Sequence, residues 1–417
     1  MQSLKLMTSR LIVVGLSAVT IIFAANTAGT LDPSFGSGGV ATVNGVGAAR
    51  ALVTLQADGR ILVLAAGVGE SNLIRFTSTG ALDPSFGVNG VAALSPPVGG
   101  SIMLQPNGQI VIAGLITNPT TGVTELGIER LNTDGSLDKS FGNAGLATAS
   151  LQNRVPSGSG LTVLIESNGD ILAGTQLFPT GRRQPTQTLL ARFTPAGVPD
   201  NTFANGGVLI ATLSSGCTGL AELSSGDIIV IDFFEVAQIA PNGTVRPSVT
   251  GGVMITSNTL SLGGATNAFQ PNGDYLADDA LFVGEESRGH DSSVQVFRFT
   301  QTGTTDTSFA DPSFHFEGPG GSGIEDLPSA MAVQANGDIV VVGRQITFAQ
   351  SGTSSIGGIA RLTPSGVLDS SFGNGGTVTS SSVFTALAIQ PSDGKIVSVG
   401  FPGTNTQLLV VSRYLAQ

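Results

Sequence analysis

The stretch that decides the fold runs Leu104-Gln105-Pro106-Asn107-Gly108-Gln109-Ile110-Val111-Ile112-Ala113-Gly114. It resumes as Ile128-Glu129-Arg130-Leu131-Asn132-Thr133-Asp134-Gly135-Ser136-Leu137-Asp138-Lys139-Ser140-Phe141-Gly142. Asn107-Gly108 supplies the left-handed backbone positions that a tight hairpin requires. Ile110 to Ala113 is apolar at every position and β-branched at the first three, which predicts a strand buried on both faces.

Both halves recur along the chain. The hairpin half reappears at Leu55, Ile165, Leu223, Phe269, Val333 and Ile389, with turn glycines Gly59, Gly169, Gly226, Gly273, Gly337 and Gly394, at a mean period of about 56 residues. The second half holds a fixed spacing. Arg75, Arg130, Arg192, Arg298 and Arg361 each stand eight residues before Asp83, Asp138, Asp200, Asp306 and Asp369. Three residues after each Asp come Phe86, Phe141, Phe203, Phe309 and Phe372, and a Gly stands three before each Asp. An Arg facing an Asp across a turn, with a Phe beside it, reads as a charge-assisted hydrogen bond closing each connector. A ring of carboxylates binding cations is the competing reading, and the built-in counter-ion argues against it. The fourth repeat departs from the pattern, with Gln238, Arg246 and Val249 at the Arg, Asp and Phe positions.

The final Arg413 has no Asp and Phe after it. The missing piece, Asp32 and Phe35, stands near the other end in LDPSFGSGG. A motif split between the ends predicts a ring in which the first and last segments share one sheet, leaving no unpaired edges at the seam. The expected fold is all-β, a closed seven-bladed β-propeller over residues 26–417. In the first period, strands are expected at about 39–43, 50–56, 61–67 and 72–77.

These motifs resemble the delta-60 repeat family of bacterial exported proteins, whose copies read like QPDGKIVVAG…ARLNPDGSLDxSFGxGG. The likeness covers roughly residues 31–417 and is weakest in the fourth repeat. It implies a propeller-like fold and a cell-envelope or extracellular setting, and no activity.

Composition fits this reading. The charged fraction is 11%, and 58 glycines are about twice an ordinary share. A net charge of −11 opposes phosphate backbones, so nucleic acid is not an expected partner. Residues 1–25 combine Lys5 and Arg10 with the apolar run Leu11–Ala25, the layout of a signal peptide. The run is shorter than the ~20 residues a spanning helix needs, and no later stretch is long enough, so no membrane span is expected in the mature chain. The setting expected is periplasm, cell surface or extracellular space, with a protein or envelope component as partner. The single cysteine, Cys217, excludes an intramolecular disulfide.

Three inserts interrupt the regularity: residues 94–101, residues 176–187 with Arg182 and Arg183, and residues 278–293 with Asp278, Asp279, Glu285, Glu286, His290 and Asp291. Variable loops on a rigid scaffold are the usual place for binding. The acidic insert could hold Ca²⁺ through oxygen ligands, although no EF-hand spacing supports it; no other cofactor or metal is expected. His290 and His315 are the only histidines, no G-x-S-x-G elbow is present, and no His pair has zinc spacing. With no Trp and two Tyr, platforms for sugar stacking are nearly absent. No catalytic residue is assigned. The function expected is an exported, non-enzymatic binding or scaffold propeller. The alternatives are a carboxylate-dependent hydrolase or lyase acting at the central channel, and a structural or adhesion surface component.

Overall fold

The computed structural model describes residues 27–417 except 49, 68–69, 95–99, 119–120, 157–160, 179–186, 213–216, 218, 224, 232–235, 247–266, 271–273, 283–290, 301–304, 318–322, 350–351 and 404. Residues 1–25, Arg182, Arg183, Val249, Glu285, Glu286 and His290 therefore lie outside the described residues. Every regular element described is a β-strand, and no sheet closes on itself.

Each sequence repeat folds as an antiparallel meander. In the first, Arg50–Leu55, Ile61–Ala66, Ser71–Phe76 and Val91–Ala93 pair in chain order. The hairpin glycine joins the first two strands, and the Leu-Asp-x-Ser-Phe-Gly connector joins the last two. This corrects the expected grouping. Strand Val40–Asn44 does not belong to the first repeat; it pairs with Leu408–Tyr414 and completes the sheet of Ser382–Ile389 and Ile396–Pro402. The strand fourth in space comes after the Arg–Asp connector, and for the last repeat that connector begins at Leu31. The fifth and sixth repeats share one sheet, because Asp291–Phe299 meets Ile324–Val333 in parallel at Asp291↔Ile324 and Ser292↔Glu325.

The second strand of each repeat explains the continuous apolar runs. Its side chains alternate between two neighbours, as the two-residue period of a strand requires. Ile61 and Val63 pack with Val397, Val399 and Leu409 of the last repeat; Leu62 and Leu64 pack with Ile110 and Ile112 of the second. The same division continues along the chain: Val111 with Ile171, Leu172 with Ile228, Ile229 with Ala277, Leu276 with Ile339, and Val340 with Ile396. Each fully buried Ile, Leu or Val of this kind contributes about 1.5–3 kcal/mol, and these side chains pack between repeats. The first strands also lie side by side: Arg50–Leu55 beside Ser101–Leu104, that strand beside Thr162–Ile165, and Arg50–Leu55 beside Ser382–Ile389.

The connectors latch this arrangement. Asp83 accepts from Arg75 Nε at 2.9 Å on one oxygen and from Ser85 N and Oγ on the other. The corresponding Nε–Asp distances are 2.8 Å for Arg130, 2.7 Å for Arg192, 2.8 Å for Arg298 and 2.7 Å for Arg361. Across the chain ends, Arg413 Nε donates to Asp32 at 2.9 Å. Each guanidinium lies 4.4–4.8 Å from the ring centre of its Phe, Phe35 included. One further nitrogen of each reaches the neighbouring repeat: Arg75 Nη1 donates to Thr133 O, Arg130 Nη1 to Pro195 O at 2.6 Å, and Arg413 Nη1 to Ser78 O at 2.6 Å. Gly135 is required at the receiving turn, because a Cβ there would lie 2.8 Å from the Phe86 ring.

The fourth repeat keeps the latch with its charges exchanged. Arg246, at the motif Asp position, donates to both oxygens of Asp227, at 2.9 and 2.7 Å, and Gln238 donates to the same carboxylate. Asp227 follows the hairpin glycine, at the position where Arg60 reaches Asp83 (3.0 Å), Gln109 reaches Asp138 (2.8 Å) and Lys395 reaches Asp32 (3.1 Å) in other repeats. Acid and base have traded places across one contact. Arg246→Asp alone, which sets two carboxylates together, is therefore expected to lower the thermal midpoint. Adding Asp227→Arg recreates the Arg60–Asp83 arrangement and should recover most of the loss. Scanning calorimetry of wild type, single and double variants checks this, and additive losses would mean that the pair does not interact.

Candidate functional site

Two ends of the repeat array differ in chemistry. The hairpin turns and Arg–Asp connectors share one end, as the Arg60–Asp83 and Lys395–Asp32 contacts show. The links between second and third strands occupy the opposite end, where the inserts fall.

At the insert end, the clearest constellation joins the fifth and sixth repeats. Asp326, near the start of Ile324–Val333, is fully buried. Its Oδ2 lies 2.6 Å from His315 Nδ1. Its Oδ1 accepts from Gln345 Nε2 at 3.0 Å and from Phe316 N at 3.3 Å, and its backbone N donates to Ser292 Oγ at 3.1 Å. Burial pushes the carboxyl above its ordinary range, against the pull of the His315, Gln345 and Phe316 hydrogen bonds. A buried acid bonded to Nδ1 sets the imidazole's orientation and leaves Nε2 to accept a proton. The His315 side chain is 20% exposed. A dyad of this type can act as a general base. It can equally tie the 315–323 crossover onto the next repeat. In the sequence His315 is one of two histidines and stands in no motif that marks a role; its partner lies eleven residues on, across a crossover with no fixed spacing.

The acidic insert is not one loop. Asp278 and Asp279 lie within Tyr275–Phe282, and Asp291 begins Asp291–Phe299; these strands pair from Tyr275↔Phe299 to Phe282↔Ser292. Pairing simply continues up the hairpin, because each added residue pair satisfies backbone groups that water would otherwise have to solvate. Only 283–290 connects the strands. Likewise Gln176 and Leu177 end Ile171–Leu177, and Gln187 begins Gln187–Phe193, so the second insert narrows to 178–186. Among the described residues, no group of three or more His, Cys, Asp or Glu is placed to hold a metal ion. Cys217 is fully buried in the core between the third and fourth repeats.

At the turn end, Gln56, Gln105, Glu166, Gln334 and Gln390 occupy one equivalent position, just after the first strand, and each has a buried side-chain oxygen without a hydrogen-bond partner. Glu166 is the acid in this otherwise amide set. Burial pushes its carboxyl up to about 7, with Arg192 opposing the shift and Asp170, Glu222 and Asp200 reinforcing it. Between the first and second repeats these groups border an open groove of about 630 Å³.

Three stretches, 56–86, 105–141 and 334–372, match the family model described as a domain of unknown function (DUF5122) beta-propeller, which supports placing the chain among β-propeller proteins. No curated protein matches it in sequence. Among solved structures, a gluconolactonase from Xanthomonas campestris is 12% identical, with 90% of this chain and 89% of that one covered and a TM-score of 0.41. An α-L-arabinofuranosidase from Fusarium graminearum is 9% identical over 94% and 96%, with a TM-score of 0.40. The polysaccharide lyase Uly1 is 9% identical over 88% and 90%, with a TM-score of 0.41. Likeness at this level says nothing about activity. Among the described residues, no helix is long and apolar enough to cross a membrane.

Proposed function

We propose that the chain is an exported, closed seven-bladed propeller that serves as a binding scaffold, with its ligand taken at the insert end. The observation that carries this reading is the assignment of the repeated polar groups. At the turn end, the Arg, Asp and Ser side chains of the connectors are spent on one another and on the next repeat. Support for closure comes from the shared terminal sheet and from a core for every consecutive pair of repeats, last with first included. Residues 1–25 act as the export signal, and the partner is a protein or envelope component reached by the insert end.

The test is capture from an envelope extract by the immobilised chain, with and without calcium, compared with a variant whose residues 283–290 are replaced by a Gly-Ser linker. Capture of one defined component that the variant loses supports the reading. Equal capture by both proteins, or none by either, overturns it.

A second reading, a hydrolase or lyase, rests on the His315–Asp326 pair. It requires that His315→Ala abolish turnover of some substrate while leaving capture intact. The conservative Asp326→Asn should then reduce kcat more than it changes KM. An unchanged rate in His315→Ala sinks this reading.

A further inference from the structure

We propose a second ligand site, at the turn end in the groove between the first and second repeats, which takes a primary ammonium group. It goes beyond the scaffold reading and lies at the opposite end of the molecule from the inserts.

The groove holds about 630 Å³ and is bordered by Gln56, Asp58, Arg60, Gln105, Asn107 and Asp134. Gln56 Oε1 and Gln105 Oε1, from consecutive repeats, are buried and unpartnered, and Gln105 is 8% exposed. A buried acceptor without a donor is unfavourable, so each calls for a donor, from water or a ligand, in the working protein. Water would serve for either one alone. Three features favour a ligand over water at this interface.

The cations bordering the groove are already committed. Arg60 is paired with Asp58 and, at 3.0 Å, with Asp83. Arg75 is held by Asp83, Thr133 O and Ser85. An anionic ligand would have to break these bonds. The acceptors, in contrast, retain capacity. Asp134 uses Oδ1 for Ser136 N and Oγ, at 2.9 and 2.6 Å. Those bonds hold its carboxyl below the ordinary range, so it is ionised at neutral pH.

The acid is peculiar to this groove. The turn position of Asp134 is Thr79, Ala196, Asn242, Thr302, Ser365 and Ala28 in the other repeats. Gln334 and Gln390 carry the same unpartnered oxygen, but the turn of the last repeat, which Arg361 reaches at Ala416 O and Gly373 at Ala28 O, has no acid. An ammonium brings three donors and no acceptor. Two amide carbonyls and one carboxylate are the complement of that set. With no Trp in the chain, and Tyr275 and Tyr414 far from this groove in sequence, recognition rests on hydrogen bonds and charge.

The experiment is isothermal titration of the full chain with putrescine at low salt, with sodium acetate as the anionic control. Saturable putrescine binding is expected, weakened about tenfold by Asp134→Asn and by Gln105→Met, a loss of about 1.4 kcal/mol. Gln390→Met, the same substitution in the last repeat, should leave it unchanged. Thermal midpoints within a few degrees of wild type, about the scatter of neutral surface changes, show that each variant is folded. Absence of saturable binding overturns the proposal, as does equal binding by the Asp134→Asn and Gln105→Met variants or preference for acetate. These results are independent of extract capture, because the 283–290 variant leaves the groove untouched.

Discussion

Asp32→Ala is expected to lower the unfolding free energy by about 3–5 kcal/mol, the cost of leaving buried partners of an ion pair without their counter-charge. The carboxylate is 3% exposed and holds Arg413 Nε at 2.9 Å and Lys395 Nζ at 3.1 Å. Its removal strands two cations and also frees Ser34, whose N and Oγ donate to the same group at 3.0 and 2.6 Å. The comparison that gives the experiment meaning is Asp83→Ala. That latch has the same chemistry but spans eight residues, whereas Asp32 and Arg413 are 381 apart. In a closed ring, Asp32→Ala should raise amide exchange in Val40–Asn44 and Leu408–Tyr414 together, while Asp83→Ala should disturb its own connector. Exchange confined to residues around Asp32 would show that the terminal strand adds little to the whole.

The pH dependence has a definite sign. Burial alone would raise the Asp32 carboxyl. The hydrogen bonds of Ser34 and Lys395, with the charge of Arg413, outweigh it and bring the value down to about 2. A carboxyl depressed in the folded state contributes stability that is present above its unfolded value near 4. That contribution is lost as pH falls toward 2. The Asp32→Ala loss should therefore be full at pH 7 and shrink in acid, which urea titrations at several pH values would detect.

Glu166→Gln is expected to act in the opposite sense and to stabilise the protein at pH 8 by about 3 kcal/mol. Glu166 is 5% exposed, and its carboxyl stands at about 7 against an ordinary 4.5. A raised carboxyl means that the folded state holds a proton the unfolded chain has released. Stability is then greatest below about 4.5 and falls as pH rises through 7. Glutamine removes the ionisation while keeping the shape, and it is what Gln56, Gln105, Gln334 and Gln390 provide in the other repeats. Arg192 loses a 3.6 Å contact but keeps Asp200 at 2.7 Å. Unfolding free energies of the two proteins should converge below about pH 4.5, separate as pH rises toward 7 and stay apart above it. Parallel curves would mean that Glu166 is paired well enough to stay charged.

Much of the fold was legible because it repeats. Strand periodicity, Asn-Gly turns and the Arg–Asp–Phe spacing are local rules, and seven copies average out local exceptions. The errors have physical causes. Strand Val40–Asn44 was grouped with its chain neighbours because position in sequence cannot say which edge a strand will pair with. The fourth repeat reads as degenerate because an exchanged Asp227–Arg246 pair satisfies the same Coulomb term as Arg60–Asp83 while breaking the letter pattern. Asp278, Asp279 and Asp291 read as loop residues because acidic side chains look like solvent, yet the backbone pairs beneath them regardless.

By itself the sequence determined what depends on neighbours along the chain: an all-β fold, the repeat length, the turn chemistry and a buried run in each second strand. Tertiary structure alone decided what depends on groups brought from different repeats. It set His315 against Asp326 and placed Gln56 and Gln105 on one groove with Asp134. The spacing between such groups follows from packing of one repeat on the next, and no periodicity within the chain encodes it.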